Sequence, residues 1–176
     1  MNFLIIGAGQ YGMVVREIAQ ATGRFDKIDF LDDNNAVAID STNNISKWVS
    51  EYKIAIVAIG KADVREKYLT LLKQCGYELA TIIHPDAYIS PTATIGSGCV
   101  VEPKAVIHTD VRIGDGCFIS AGAVVNHNSV VEDTCHINCG AIIASGVIVP
   151  KALKLITDWF LLERSRVWIR KKSKGL

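Results

Sequence analysis

The sequence predicts two joined folds: a small Rossmann-like α/β unit on a parallel sheet, and a β-helix directly behind it. Three observations carry this. A Gly-x-Gly-x-x-Gly turn lies between an apolar run and a helical run near the N-terminus. From Ile83 onward every sixth residue is Ile or Val. The composition is 49% apolar but only 7% aromatic, with 14 glycines, as expected of strands packed with small and β-branched residues.

In chain order, Phe3 to Ile6 reads as a short buried strand, followed by the Gly7-Ala8-Gly9-Gln10-Tyr11-Gly12 turn. Met13 to Thr22 has helical spacing and stops at Gly23. Lys27 to Leu31 is a second strand ending at Asp32-Asp33, Trp48 to Tyr52 closes a short helix, and Ile54 to Ile59 is a third strand ending at Gly60. Ala62 to Cys75 reads as a helix and Leu79 to Ile83 as a fourth strand. Strands alternating with helices imply a parallel sheet with helices on its faces. Glycines let the backbone approach a phosphate, and a helix N-terminus favours its negative charge. The acidic pair follows Gly12 at the distance where a ribose ligand would sit. One such unit is half of a dinucleotide site, so a single nucleotide fits better than NAD.

The six-residue series runs Ile83, Ile89, Ile95, Val101, Ile107, Ile113, Ile119, Val125, Val131, Ile137, Ile143 and Val149. Two places before each of these lies a small residue, such as Ala105, Cys117 or Ala123. This is a hexapeptide repeat, a β-helix signature. With three hexapeptides per coil, the Ile/Val side chains point inward and the small ones sit near the turns. Cys99, Cys117 and Cys135 fall at one register position, so they should stack in one corner as buried small residues rather than bind a metal. The predicted boundaries are 1–82 for the nucleotide-binding unit, 83–150 for the β-helix and 151–176 for a tail.

The tail departs from the repeat. Its small positions become Leu153, Trp159 and Ser165. It carries eight Lys/Arg against two Asp/Glu, so the net charge of +1 sums a basic tail and an acidic body. Leu155, Trp159, Leu162 and Ile169 suit one face of an amphipathic helix. Such a helix would cap the prism or contact a membrane surface; an altered chain ending is the third reading. The whole-chain charge gives no support to nucleic-acid binding. The start shows no basic leader, and no apolar stretch approaches membrane-span length; the expectation is a cytoplasmic protein with free thiols.

A glycine-loop α/β unit followed at once by hexapeptide coils resembles the NeuD/PglD-type sugar acetyltransferases. The resemblance rests on the glycine loop, Leu31-Asp32-Asp33, Ala58-Ile59-Gly60, Ile83-His84-Pro85, and the segment from Val125-Asn126-His127-Asn128 to His136-Ile137-Asn138-Cys139-Gly140-Ala141. It implies a left-handed β-helix, a homotrimer and acetyl-CoA as co-substrate. It implies His127 as general base, with Asn128 beside it where the family usually has an acid. It places Gly9, Gln10, Tyr11, Asp32, Asp33 and Gly60 at a nucleotide-linked amino sugar, and His136, Ala144 and Ser145 at acetyl-CoA. It implies further coils after Pro150, which the hexad pattern of the tail does not predict.

The residue chemistry agrees. Taking a proton from a sugar amine near neutral pH suits imidazole, and backbone or imidazole donors can stabilise the oxyanion formed on a thioester. His127 and His136 are half a coil apart, so a shared site would need two subunits. His84 reads as a hinge residue and His108 as an outer-surface one. N-acetylation is the leading expectation. Sugar O-acetylation of sialic-acid type and a non-catalytic nucleotide-sugar-binding protein are the alternatives.

Overall fold

The computed structural model describes residues 1–155 fully, and beyond them the backbone of two strands, Trp159–Leu161 and Trp168–Arg170. In the N-terminal unit, β1 (Asn2–Ile6), β2 (Lys27–Leu31), β3 (Ile54–Val57) and β4 (Glu78–Leu79) form a parallel sheet in the order β2-β1-β3-β4. The helices are α1 (Gln10–Ala21), α2 (Ile45–Trp48) and α3 (Ala62–Gln74). β1 and β3 are buried on both faces, which explains their unbroken apolar runs. The chain turns outward in opposite directions from β1 and β3. The crevice at their carboxyl ends is therefore where an α/β sheet takes a ligand.

Two expected elements shift. The strand expected over Leu79 to Ile83 is two strands. Glu78–Leu79 closes this sheet, while Ile82–Ile83 is already the first rung of the β-helix. The Ala80 amide still donates to Ala55 O (2.9 Å), but the Ile82 amide donates to Cys99 O (2.9 Å). Two residues thus separate one hydrogen-bond ladder from the next. The short helix starts earlier than expected, at Ile45, because the Ser41 hydroxyl caps the preceding turn by accepting from the Asn43 amide.

The second unit is a left-handed parallel β-helix of two-residue rungs on three faces. Face I carries Ile82–Ile83, Val100–Val101, Phe118–Ile119, His136–Ile137 and Lys154–Leu155. Face II carries Tyr88–Ile89, Val106–Ile107, Val124–Val125, Ile142–Ile143 and Trp159–Leu161. Face III carries Thr94–Ile95, Arg112–Ile113, Val130–Val131 and Ile148–Val149. Each full inward Ile or Val contributes about 1.5–3 kcal/mol of burial. The small residues point inward too, so the core is filled by both positions of each hexad. Cys99, Cys117 and Cys135 stack as expected. All three are fully buried, and the Cys117 amide lies 3.3 Å from Cys99 Sγ. Contacts within the stack, together with burial, push the Cys117 and Cys135 thiols up, out of the reactive range.

The corners need left-handed backbone every sixth residue. Gly98, Lys104, Asp110, Gly116, Gly122, Asn128, Thr134, Gly140, Gly146 and Ala152 all have positive φ. At Gly116 the need is double: φ is +65°, and an added Cβ would run into the Leu69 side chain of α3. This close approach helps dock the α/β unit on face I. Ile82, Val100 and Phe118, pointing outward from that face, share a core with Phe3, Ile5, Val15 and Ile18.

The tail corrects an expectation. Lys154–Leu155 adds a rung to face I, with Leu155 turned inward, and Trp159–Leu161 adds one to face II. Trp168–Arg170 pairs antiparallel with Trp159–Leu161. The described tail residues are thus strands, not the amphipathic helix expected there. The open end of a β-helix presents unpaired amides and carbonyls, which template further strands more strongly than a marginal helical pattern forms a helix. The remaining helical positions, including Leu162, lie outside the described residues. No described helix is long and apolar enough to cross a membrane.

Candidate active site

The glycine loop closes the β1–α1 crossing. Gly7 has φ +102°, and its amide donates to Leu31 O (2.9 Å). Gly12 must be glycine, because a Cβ there would collide with the Gly7 carbonyl oxygen. Asp32 fastens the loop to the end of β2: its carboxylate accepts from the Ala8 amide (2.7 Å) and the Asn34 amide (2.8 Å). Asp33 points the other way. It accepts from the Ser41 hydroxyl (2.6 Å) and the Thr42 amide (2.9 Å), which hold its carboxyl below the usual range. Both acidic residues therefore shape the loops around the crevice. Gly9 and Gln10 are exposed, and no side chain caps α1 at Gly9. Its first amides are left for an anion.

Across the crevice, Gly60, Lys61 and Ala62 at the start of α3 face Thr134, His136 and Lys154 of the β-helix over a pocket of about 480 Å³. Arg65 closes the floor. It is fully buried and donates to the carbonyls of Ile59 (2.8 Å), Gly60 (3.1 Å), Gly116 (2.8 Å) and Thr134. Its guanidinium lies 4.1 Å from the Phe118 ring centre. No carboxylate neutralises it among the described ion pairs.

His136 sits on face I beneath this pocket at 8% exposure. Its ring meets Phe118 (5.5 Å) and Tyr11 (5.9 Å), and Nε2 lies 3.1 Å from Ser120 Oγ. Nδ1 has no partner. Burial, with Lys154 and Arg65 nearby, lowers its pKa to about 4, so the ring is neutral at physiological pH.

His127 lies elsewhere, on the exposed corner between faces II and III. Its Nδ1 is 2.9 Å from Asn128 Oδ1. An amide oxygen only accepts, so this contact puts the proton on Nδ1 and leaves Nε2 with a free lone pair. Asn128 has φ +61°, a backbone state that Asn tolerates better than most residues. Its position in the hexad thus fits both the corner and the ring contact. One rung on, the Gly146 amide donates to His127 O (3.0 Å). Ala144 and the exposed Ser145 therefore share this corner. His108 does too: its ring lies 6.3 Å from that of His127 and 6.4 Å from Tyr88. His84 is a turn residue whose Nδ1 accepts from the Asp86 amide (3.0 Å).

The fold thus gathers the expected residues into two groups. Gly60 and His136 line the pocket, the Tyr11 ring lies 5.9 Å from that of His136, and Gly9 and Gln10 follow the neighbouring strand β1. His127, Asn128, Ala144 and Ser145 share an outer corner. Sequence reasoning missed Arg65 and Glu102. Arg65 had a signal, a charge in helical register with the buried Leu69 and Leu72. Glu102 had none.

Comparison with known proteins adds a family to this geometry. Residues 2–72 match the PglD N-terminal domain, and residues 92–127 match the bacterial transferase hexapeptide (six repeats). The chain is an acyltransferase whose first segment is similar to the PglD N-terminal domain and whose second is similar to the hexapeptide transferase repeats. It is 27% identical to the acetyltransferase domain of PglB from Neisseria gonorrhoeae in complex with acetyl coenzyme A, with 93% of each chain covered and a TM-score of 0.77. Two more distant structures share the fold. Perosamine N-acetyltransferase from Caulobacter crescentus, in complex with CoA and GDP-perosamine, is 21% identical over 96% of this chain and 97% of that one, with a TM-score of 0.67. WeeI from Acinetobacter baumannii is 19% identical over 96% of this chain and all (100%) of that one, with a TM-score of 0.69.

Proposed function

We propose that this acyltransferase moves the acetyl group of acetyl-CoA to the amine of a nucleotide-linked sugar, with His127 as general base. The observation that carries this reading is the His127 corner: an exposed imidazole, oriented by Asn128 at 2.9 Å, on the rung below Ala144 and Ser145. The likeness to a PglB acetyltransferase domain that holds acetyl coenzyme A supports the donor. The uncapped start of α1 behind Gly9 supports a nucleotide diphosphate in the crevice.

In this mechanism the amine lone pair attacks the thioester carbonyl carbon while Nε2 of His127 takes the amine proton. The carbon–sulfur bond then breaks. The proton passes from His127 to the departing sulfur, leaving N-acetyl sugar and CoA thiol. His136 forms the wall at which the acetyl group enters, its unpaired Nδ1 free to make one hydrogen bond. Because the corner and the crevice are separate in one chain, a complete centre takes His127 from one subunit and the crevice of the next, as a homotrimer provides.

The test is direct. The protein is mixed with acetyl-CoA and UDP- or GDP-linked amino sugars, and free thiol is followed. Thiol release with an alkali-stable product supports N-acetylation. An alkali-labile product supports an ester and the O-acetyl alternative. Tight nucleotide-sugar binding without thiol release overturns the catalytic reading.

A further inference from the structure

We propose that Glu102, acting through the Tyr11 phenol, is a positioning residue that sets the glycine loop against the β-helix and so tunes binding of the nucleotide substrate. The inference rests on the proposed function for its kinetic readout, but its geometry stands alone. Glu102 follows the Val100–Val101 rung and is 7% exposed. One carboxylate oxygen accepts from the Tyr11 hydroxyl (3.1 Å), the other from the Ala121 amide (3.1 Å). Among the described ion pairs none includes it. A carboxylate buried without a cation is unfavourable unless its lone pairs are used. Here they are used on one β-helix amide and on one side chain of the other unit.

That side chain is well placed to transmit position. Tyr11 lies in the first turn of α1, beside the uncapped amides at Gly9. Its ring rests on Phe118 (4.6 Å) and faces His136 (5.9 Å). One phenol therefore ties the anion-accepting end of α1 to three β-helix residues. The tilted ring contacts bracket the phenol, and the hydrogen bond to Glu102 anchors its hydroxyl end. Burial and the Glu102 charge keep the phenol protonated, so it remains the donor.

The experiment uses the full chain and four variants: Tyr11→Phe, Glu102→Ala, Glu102→Gln and Tyr11→Phe/Glu102→Ala. Tyr11→Phe and Glu102→Ala should each raise KM for the nucleotide sugar about tenfold, the size of one hydrogen bond to a charged group. KM for acetyl-CoA should stay within about twofold. The double variant should match the singles, since both remove the same contact. Glu102→Gln should recover most of the loss, because its amide oxygen can still accept from the Ala121 amide while its NH2 donates to the Tyr11 hydroxyl oxygen. Hydrogen exchange at the amides of Gly9 to Met13 should quicken in Tyr11→Phe and Glu102→Ala. Additive effects in the double variant, or an unchanged KM in Tyr11→Phe, would overturn the proposal. If the parent turns over no nucleotide sugar, the proposed function fails by itself. The positioning role then stands or falls on exchange in Tyr11→Phe, which keeps the ring and needs no activity.

Discussion

The His127 corner and the His136 rung belong to the same repeat and lie half a coil apart, yet they are opposite chemical settings. His127 is exposed, and its ring is held by a single amide. His136 is covered by the α/β unit, pressed between aromatic rings and flanked by cations. The β-helix itself does not distinguish them. What differs is which face the N-terminal unit covers. One regular scaffold thus presents an exposed imidazole on one corner and a buried one, held neutral, on another face.

The largest expected effect breaks the exposed half of this comparison. His127→Ala should lower kcat about 10³-fold, within the range of a lost general base, with KM for acetyl-CoA nearly unchanged. Steady-state thiol release measures it. A loss under tenfold would remove His127 from that role. Replacing His108, which touches the same ring, should cost far less if His127 alone takes the proton.

The buried half is read through pH. The folded pKa of His136, about 4, lies below its ordinary value of 6.5. Between these values the unfolded chain binds the proton and the folded chain does not. Stability contributed through this group is therefore intact above about 6.5 and falls as pH drops toward 4. The loss reaches at most about 3 kcal/mol. His136→Gln, which cannot titrate, should remove that part of the acid sensitivity. Urea midpoints of parent and variant at pH 7 and pH 5 give the comparison. Equal midpoint drops in the two proteins would mean that His136 protonates while folded.

Packing offers a smaller and more local contrast. Gly116→Ala places a methyl group against Leu69 and forces left-handed backbone on an L-residue. Gly122→Ala meets only the second problem, since nothing lies near its Cβ. The first should destabilise by about 2–3 kcal/mol and the second by about 1. Thermal unfolding of the two variants isolates the steric cost of crowding Leu69 of α3 at the corner.

The difference between the regions also explains what could be read from sequence. The β-helix was legible because Ile/Val at every sixth position excludes both helix and ordinary strand periods. The cysteine stack followed from the same register. The glycine loop was legible because Gly7 and Gly12 meet a steric demand no other residue satisfies. The contacts between the units were not legible. Tyr11, Glu102, Arg65 and His136 come from four separate segments, and their meeting depends on how the α/β unit docks. The amphipathic spacing of the tail predicts a helix, but its described residues lie beside open rung edges, and strand pairing there decides the outcome.

The smallest expected effect concerns Asn128, where a neutral amide orients the base. Asn128→Asp keeps a side chain that tolerates the positive φ of 61°, and its carboxylate can still accept from His127 Nδ1. It adds one negative charge in contact with the ring. That charge favours the imidazolium over the neutral form, so the acid limb of kcat/KM should move to higher pH in the variant. The rate plateau should change by only a few-fold, since a stronger base is offset by a smaller fraction of free base near neutrality. Asn128→Glu makes a useful pair, because it adds the same charge on a longer arm with poorer tolerance of left-handed backbone. If the charge is what matters, both variants shift the acid limb and only the second loses stability. An acid limb that stays in place in both would show that the group titrating in that limb is not in contact with residue 128.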